Sequence, residues 1–162
     1  VEYCRSGGAS LIIAVSKKKR AADNSLSVEI SENYNDVFRK LNSYLLQRET
    51  IADEVIKFIN SRNDICFYGA GLCLSWILYE LGFSEKGEFG SLVDDNELVS
   101  GLFMPNSDLK IFGFDEFEWN KCSSVLLTLN SMYHNNVVGK LRKHGFDGEV
   151  FAITNSGLTE CN

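Results

Sequence analysis

A short apolar run, Ile65 to Tyr68, ends in Gly69, Ala70 and Gly71, and a later run, Gly90 to Val93, ends in Asp94, Asp95 and Asn96. A strand that turns on Gly-x-Gly into a helix, followed by a strand with an acidic residue at its end, is how a βαβ unit offers a nucleotide site. The first glycine makes the tight turn. The second lets backbone approach a phosphate, whose charge the following helix N-terminus favours. The pattern says where a ligand would sit and leaves its identity open.

The alternation continues down the chain. Apolar runs predict strands at Ile65 to Tyr68, Glu88 to Val93, Leu109 to Phe112, Ser124 to Leu129 and Glu149 to Ile153. Helical patterns fill Leu72 to Leu81, closed by Gly82, and Asn135 to His144, closed by Gly145. Parallel strands need a covering crossover, and the crossover is right-handed. The expected fold is therefore α/β: a Rossmann-like, doubly wound parallel sheet of about five strands in order 3-2-1-4-5, preceded by a strand and a long helix.

That preceding part has its own pattern. Residues 9–15 read as one strand after Gly7 and Gly8, and 21–31 as a polar linker. From Asn33 to Ser61 the period is helical. Tyr34, Leu41, Arg48 and Val55 share one heptad position, and Val37, Tyr44, Ile51 and Phe58 another. Phe38, Leu45, Ala52 and Ile59 add a third row, so the stripe suits packing on a sheet better than a dimer zipper. Arg48 is the odd member, with a stem that can lie on apolar surface while its head stays wet. We expect two parts: 1–31, a strand and linker, and 32–162, the helix with the Rossmann-like domain. The chain begins with Val1, which suggests a piece of something longer.

A net charge of -6 argues against nucleic acid, which needs a basic face. The run Lys17 to Arg20 reads as a solvated turn. No segment reads as a membrane span or signal peptide, and a cytoplasmic protein is expected. The five cysteines, with only His134 and His144 beside them, show no zinc-ligand spacing, so no metal is expected. Cys66 and Cys73 read as reduced core residues.

The strand ends supply the candidate site. Tyr68, Gly69 and Gly71 come from the first strand, Asp94 and Asn96 from the second, and Asn130, Tyr133 and His134 from the fourth. Asp94 would accept from a ribose hydroxyl, or cap a turn with Asn96. Asn130 and His134 would line the cleft, or cap the next helix. The third glycine of the dinucleotide fingerprint is missing, because Leu74 stands in its place, and this disfavours NAD. No Ser-His-Asp arrangement, nucleophile elbow or P-loop appears.

In order and spacing, Phe67 to Gly71, Leu92 to Asn96, Ser100 to Ile111 and Val125 to Asn130 resemble the C-terminal domain of S-adenosylmethionine-dependent sugar C-methyltransferases. That family follows a Gly-Ala-Gly turn with a Val-Asp-x-Asn strand end, a Gly-x-x-x-Pro-Gly-x-x-Ile-Pro loop and a strand closing in Trp-Asn. Asn106 and Leu129 depart from it where the family has glycine and tryptophan, and Lys110-Ile111-Phe112 lacks its second proline. The resemblance implies a domain that closes over an active site and holds a nucleotide-diphosphate sugar, with S-adenosylmethionine bound by a missing N-terminal methyl-transfer domain and not by this chain. It implies substrate-binding roles for the residues named above: Gly69 and Gly71 near the diphosphate, Asp94 and Asn96 near sugar or ribose hydroxyls. No catalytic base is assigned. The alternatives are a non-catalytic nucleotide-sugar-binding or scaffold domain and, less favoured, an NAD-dependent oxidoreductase.

Overall fold

The computed structural model describes residues 30–80, 90–105 and 107–161, with side chains from residue 36 onward. The strand expected at 9–15, the basic run and Gly82 lie outside them. The chain divides into two compact units, 1–38 and 39–162. In the first, only the opening turns of α1 (Ile30–Asn60) are described. That helix starts inside the segment read as linker.

The second unit is built on a six-stranded sheet of order β3-β2-β1-β4-β5-β6. The strands are β1 (Ile65–Tyr68), β2 (Ser91–Asp94), β3 (Ile111–Gly113), β4 (Ser124–Leu127), β5 (Glu149–Thr154) and β6 (Gly157–Glu160). The first five are parallel, in the expected order, so the chain forms a Rossmann-like α/β fold. The sixth is a correction. It returns antiparallel beside β5, because Asn155 and Ser156 make a tight turn whose next residue, Gly157, has φ +116°. An edge strand of four residues with only one buried position carries too little apolar signal to be read in advance.

β1 and β4 lie side by side at the centre and are buried at every position. This is why both read as unbroken apolar runs rather than alternating ones. One face of the sheet carries α2 (Leu72–Glu80) and the C-terminal half of α1, packing Val55, Phe58, Leu74 and Ile77 onto Phe67, Leu92 and Leu126. The other face carries α3 (His134–Lys143) and the aromatic side chains Phe114, Phe117, Trp119 and Phe146, over Cys66, Tyr68, Val125 and Leu127. The widened stripe of α1 thus covers the sheet from Ile51 onward, while Tyr44, Leu45 and Leu46 are exposed. Arg48 finds its place with its guanidinium 4.6 Å from the centre of the Trp76 ring.

Cys66 and Cys122 are buried, Cys73 and Cys161 half-buried, and all four are free thiols. No described helix is long and apolar enough to cross a membrane.

Candidate functional site

The strand order reverses between β1 and β4, and the loops leaving these two strands meet at that reversal. The amide of Thr128 donates to the Tyr68 carbonyl at 2.9 Å, and its hydroxyl reaches both the Tyr68 and Gly69 carbonyls, at 3.0 and 2.7 Å. The two loops are so close that a Cβ on Gly69 would stand 3.1 Å from that of Leu129. Gly69 also holds φ +114°, a conformation that costs an L-residue strain. Its role is the tight turn.

Gly71 is different. A Cβ there would meet nothing within 4 Å, and the residue is exposed beside Leu72, which is 91% exposed. The turn presents an open backbone surface at the start of α2, where the first main-chain acceptor in use is the Gly71 carbonyl, bonded by Ser75.

Asp94 braces this turn. Its Oδ2 accepts from the Ala70 amide at 2.7 Å, and its Oδ1 from the Asn96 amide at 2.8 Å. The Asn96 side chain in turn accepts from the Leu98 amide at 3.1 Å. Both acids and amides here close local turns, as short polar side chains do. The carboxylate also sits close to the positive end of α2, where a negative charge is favourable. Asp95, next along, pairs with Lys140 of α3 at 2.5 Å.

The residues after β4 divide by exposure. Asn130 is exposed and caps a short 3-10 turn, its Oδ1 accepting from the Met132 amide at 3.1 Å. Tyr133 is half-exposed at the surface. His134 is buried, and its Nε2 lies 3.1 Å from the Leu129 carbonyl. That contact ties the ring to the loop beside Gly69.

Tyr68 stands apart from the other strand-end residues. Its side chain points to the α3 face and packs against Trp119 and Phe114, with ring centres 6.1 and 6.2 Å away. Its hydroxyl is fully buried and, among the described residues, has no hydrogen-bond partner. Burial first, and then the nearby Asp95 carboxylate, pushes the phenol's ionisation well above its ordinary range. In this geometry Asp95 opposes the phenol's charge without bonding its hydroxyl. Strand alternation accounts for the placement, because Cys66 and Tyr68 share the inward face under the aromatic cluster.

A cleft that the sequence did not announce lies beside Asn130. It has a volume of about 590 Å³ and is lined by Gln47 of α1, Asn130 and Ser131 after β4, and Ile153 to Ser156 at the end of β5. The side-chain amide of Gln47 bonds the Asn155 carbonyl, which fixes α1 against the β5–β6 turn. Glu54 does the same one helix segment on, accepting from the Leu158 amide at 3.1 Å. Only Asn130 was legible in advance, because the other members are brought in by α1 and by the unforeseen hairpin. A second cleft of about 610 Å³, between Phe117 to Ser123 and His144 to Gly148, opens at the opposite, amino-terminal edge of the sheet.

No protein-family model matches the chain. No curated protein matches it either. Among solved structures it is similar to UDP-D-quinovosamine 4-dehydrogenase from Vibrio fischeri, with 17% sequence identity and a TM-score of 0.47, over 62% of this chain and 94% of that one.

Proposed function

We propose that this chain is a nucleotide-sugar-binding domain that forms one wall of a larger cleft. The observation that carries the reading is the open Gly71 turn at the strand-order reversal, whose Gly69 packs on the loop that leads to Asn130 and its uncharged cleft. Ligands of open α/β sheets bind at such a reversal, at the carboxyl ends of the strands. The turn itself lines neither of the two clefts, which suits a site completed by a second body.

In finer terms, the resemblance in the sequence gives a C-methyltransferase acting on a keto sugar linked to a nucleotide. When bound elsewhere in that enzyme, S-adenosylmethionine would supply an electrophilic methyl group. The chain's part is binding, orientation and exclusion of water. No general base is assigned to it, because the imidazole of His134 is held on the Leu129 carbonyl. The exposed Tyr44, Leu45 and Leu46 favour a second reading, a scaffold that docks a partner through α1.

Calorimetric titration of the chain with a uridine or thymidine diphosphate sugar, S-adenosylmethionine and NAD separates these readings. The expected result is weak binding of the diphosphate sugar and none of the other two. Tight NAD binding would sink the proposal, and silence towards all three would leave the scaffold.

A further inference from the structure

We infer that the cleft formed by Gln47, Asn130, Ser131, Asn155 and Ser156 receives an uncharged, hydroxyl-bearing ring, the sugar of the ligand, and discriminates against rings that carry a carboxylate. The inference rests on the nucleotide-sugar reading and names the part of the site that would choose the sugar.

The first ground is the inventory of free hydrogen-bonding groups. Asn130 spends its oxygen on the Met132 amide, which leaves its NH2 as a donor. Gln47 spends its NH2 on the Asn155 carbonyl, which leaves its oxygen as an acceptor. Among the described residues, neither the Ser131 hydroxyl nor the Asn155 side-chain amide has a partner, and each can both donate and accept. Thr154 is already occupied by Ser156 and the Gly157 carbonyl.

The second ground is charge. Among the described residues, no Lys, Arg, Asp, Glu or His lines the cleft. A sugar hydroxyl donates and accepts at once, and therefore uses a mixed set of this kind fully. A carboxylate only accepts, so it would face the Gln47 oxygen without a compensating cation.

The third ground is position. Asn130 and Ser131 follow Thr128 and Leu129, the residues packed against Gly69. The cleft therefore begins on the loop that packs against the Gly-Ala-Gly turn. Its volume of about 590 Å³ is within the range of small-molecule sites.

The test uses the whole chain and 15N-detected shift mapping with four probes: uridine diphosphate, a uridine diphosphate hexose, the corresponding uronate, and a methyl hexoside. Asn155→Ala and Ser131→Ala are the variants, since both side chains are exposed and unpartnered and their loss leaves folding essentially unchanged. The hexose nucleotide should shift Asn130, Ser131 and Asn155 and bind about tenfold more tightly than the uronate. Each variant should weaken the hexose nucleotide roughly three- to tenfold, the worth of one hydrogen bond, and leave uridine diphosphate unaffected. Uridine diphosphate and its hexose binding equally, with both variants silent, would overturn the inference and leave the nucleotide reading standing. Uronate binding as tight as hexose would overturn the selectivity. Methyl hexoside binding in the cleft without any nucleotide binding would preserve the inference and sink the nucleotide reading. No shift with any probe would sink both.

Discussion

The Asp94 carboxylate accepts a hydrogen bond from the Ala70 amide at 2.7 Å, which ties the end of β2 to the turn that leaves β1. The same side chain holds the Asn96 amide. One acidic residue thus sets the shape of two loops at the carboxyl edge of the sheet.

Removing that brace should cost stability. Asp94→Ala loses two bonds to a charged acceptor and should lower the unfolding free energy by about 1.5–3 kcal/mol. Asp94→Asn should fall between it and the parent, because an amide offers one acceptor where two N–H groups converge. Urea titration followed by far-UV circular dichroism reads the difference as a shifted midpoint with an unchanged slope.

The two glycines of the turn should respond in opposite ways. Gly69→Ala combines a positive φ with a close approach to Leu129, and should destabilise by about 1–3 kcal/mol. Gly71→Ala meets open space and should stay within about 0.5 kcal/mol of the parent. If the Gly71 backbone approaches a ligand, the second variant should nevertheless lose nucleotide-sugar affinity. Thermal unfolding and calorimetric binding, measured on both, separate the structural glycine from the functional one.

Tyr68 carries a hydroxyl that is buried without a partner among the described residues. Tyr68→Phe should therefore be as stable as the parent at neutral pH, or more stable by up to about 1 kcal/mol. The folded state holds the phenol proton more firmly than the unfolded state, whose ionisation lies near 10.0. Above that value the unfolded chain binds fewer protons than the folded one, so stability falls as pH rises. The Phe variant should lack this alkaline loss. Denaturant midpoints at pH 8 and pH 11 give the comparison, and equal alkaline losses in both proteins would refute it.

Arg62 joins three elements. Its guanidinium pairs with Glu149 at 2.8 Å, donates to the Ser124 hydroxyl at 3.1 Å and lies 4.0 Å from the centre of the Phe58 ring. Because Glu149 is largely exposed, the ion pair alone contributes little, and packing on Phe58 and Phe151 makes up most of the effect. Arg62→Ala should cost about 1–2 kcal/mol, and Arg62→Lys should recover less than half of it, since an ammonium cannot stack as a plane. Raising the salt concentration should change the parent's stability only slightly.

The amino-acid sequence by itself determined the central sheet. Two apolar runs that are buried on both faces, the glycines that turn out of the first, and the strand–helix alternation with its right-handed crossovers leave essentially one strand order. The same local chemistry marked Asp94, Asn96 and Asn130 as residues at strand ends, because their meaning is set within a few residues of the chain. What the tertiary structure alone decided is how those groups are used. Asp94 reaches Ala70 because β2 lies beside β1, and Tyr68 is sealed because the distant segment carrying Phe114 and Trp119 folds over its face of the sheet, which no local pattern encodes. Gln47 meets Asn155 because a long helix and a late antiparallel strand pack together. Such contacts join residues far apart in sequence, and their energy comes from burial and pairing that exist only once the sheet has formed.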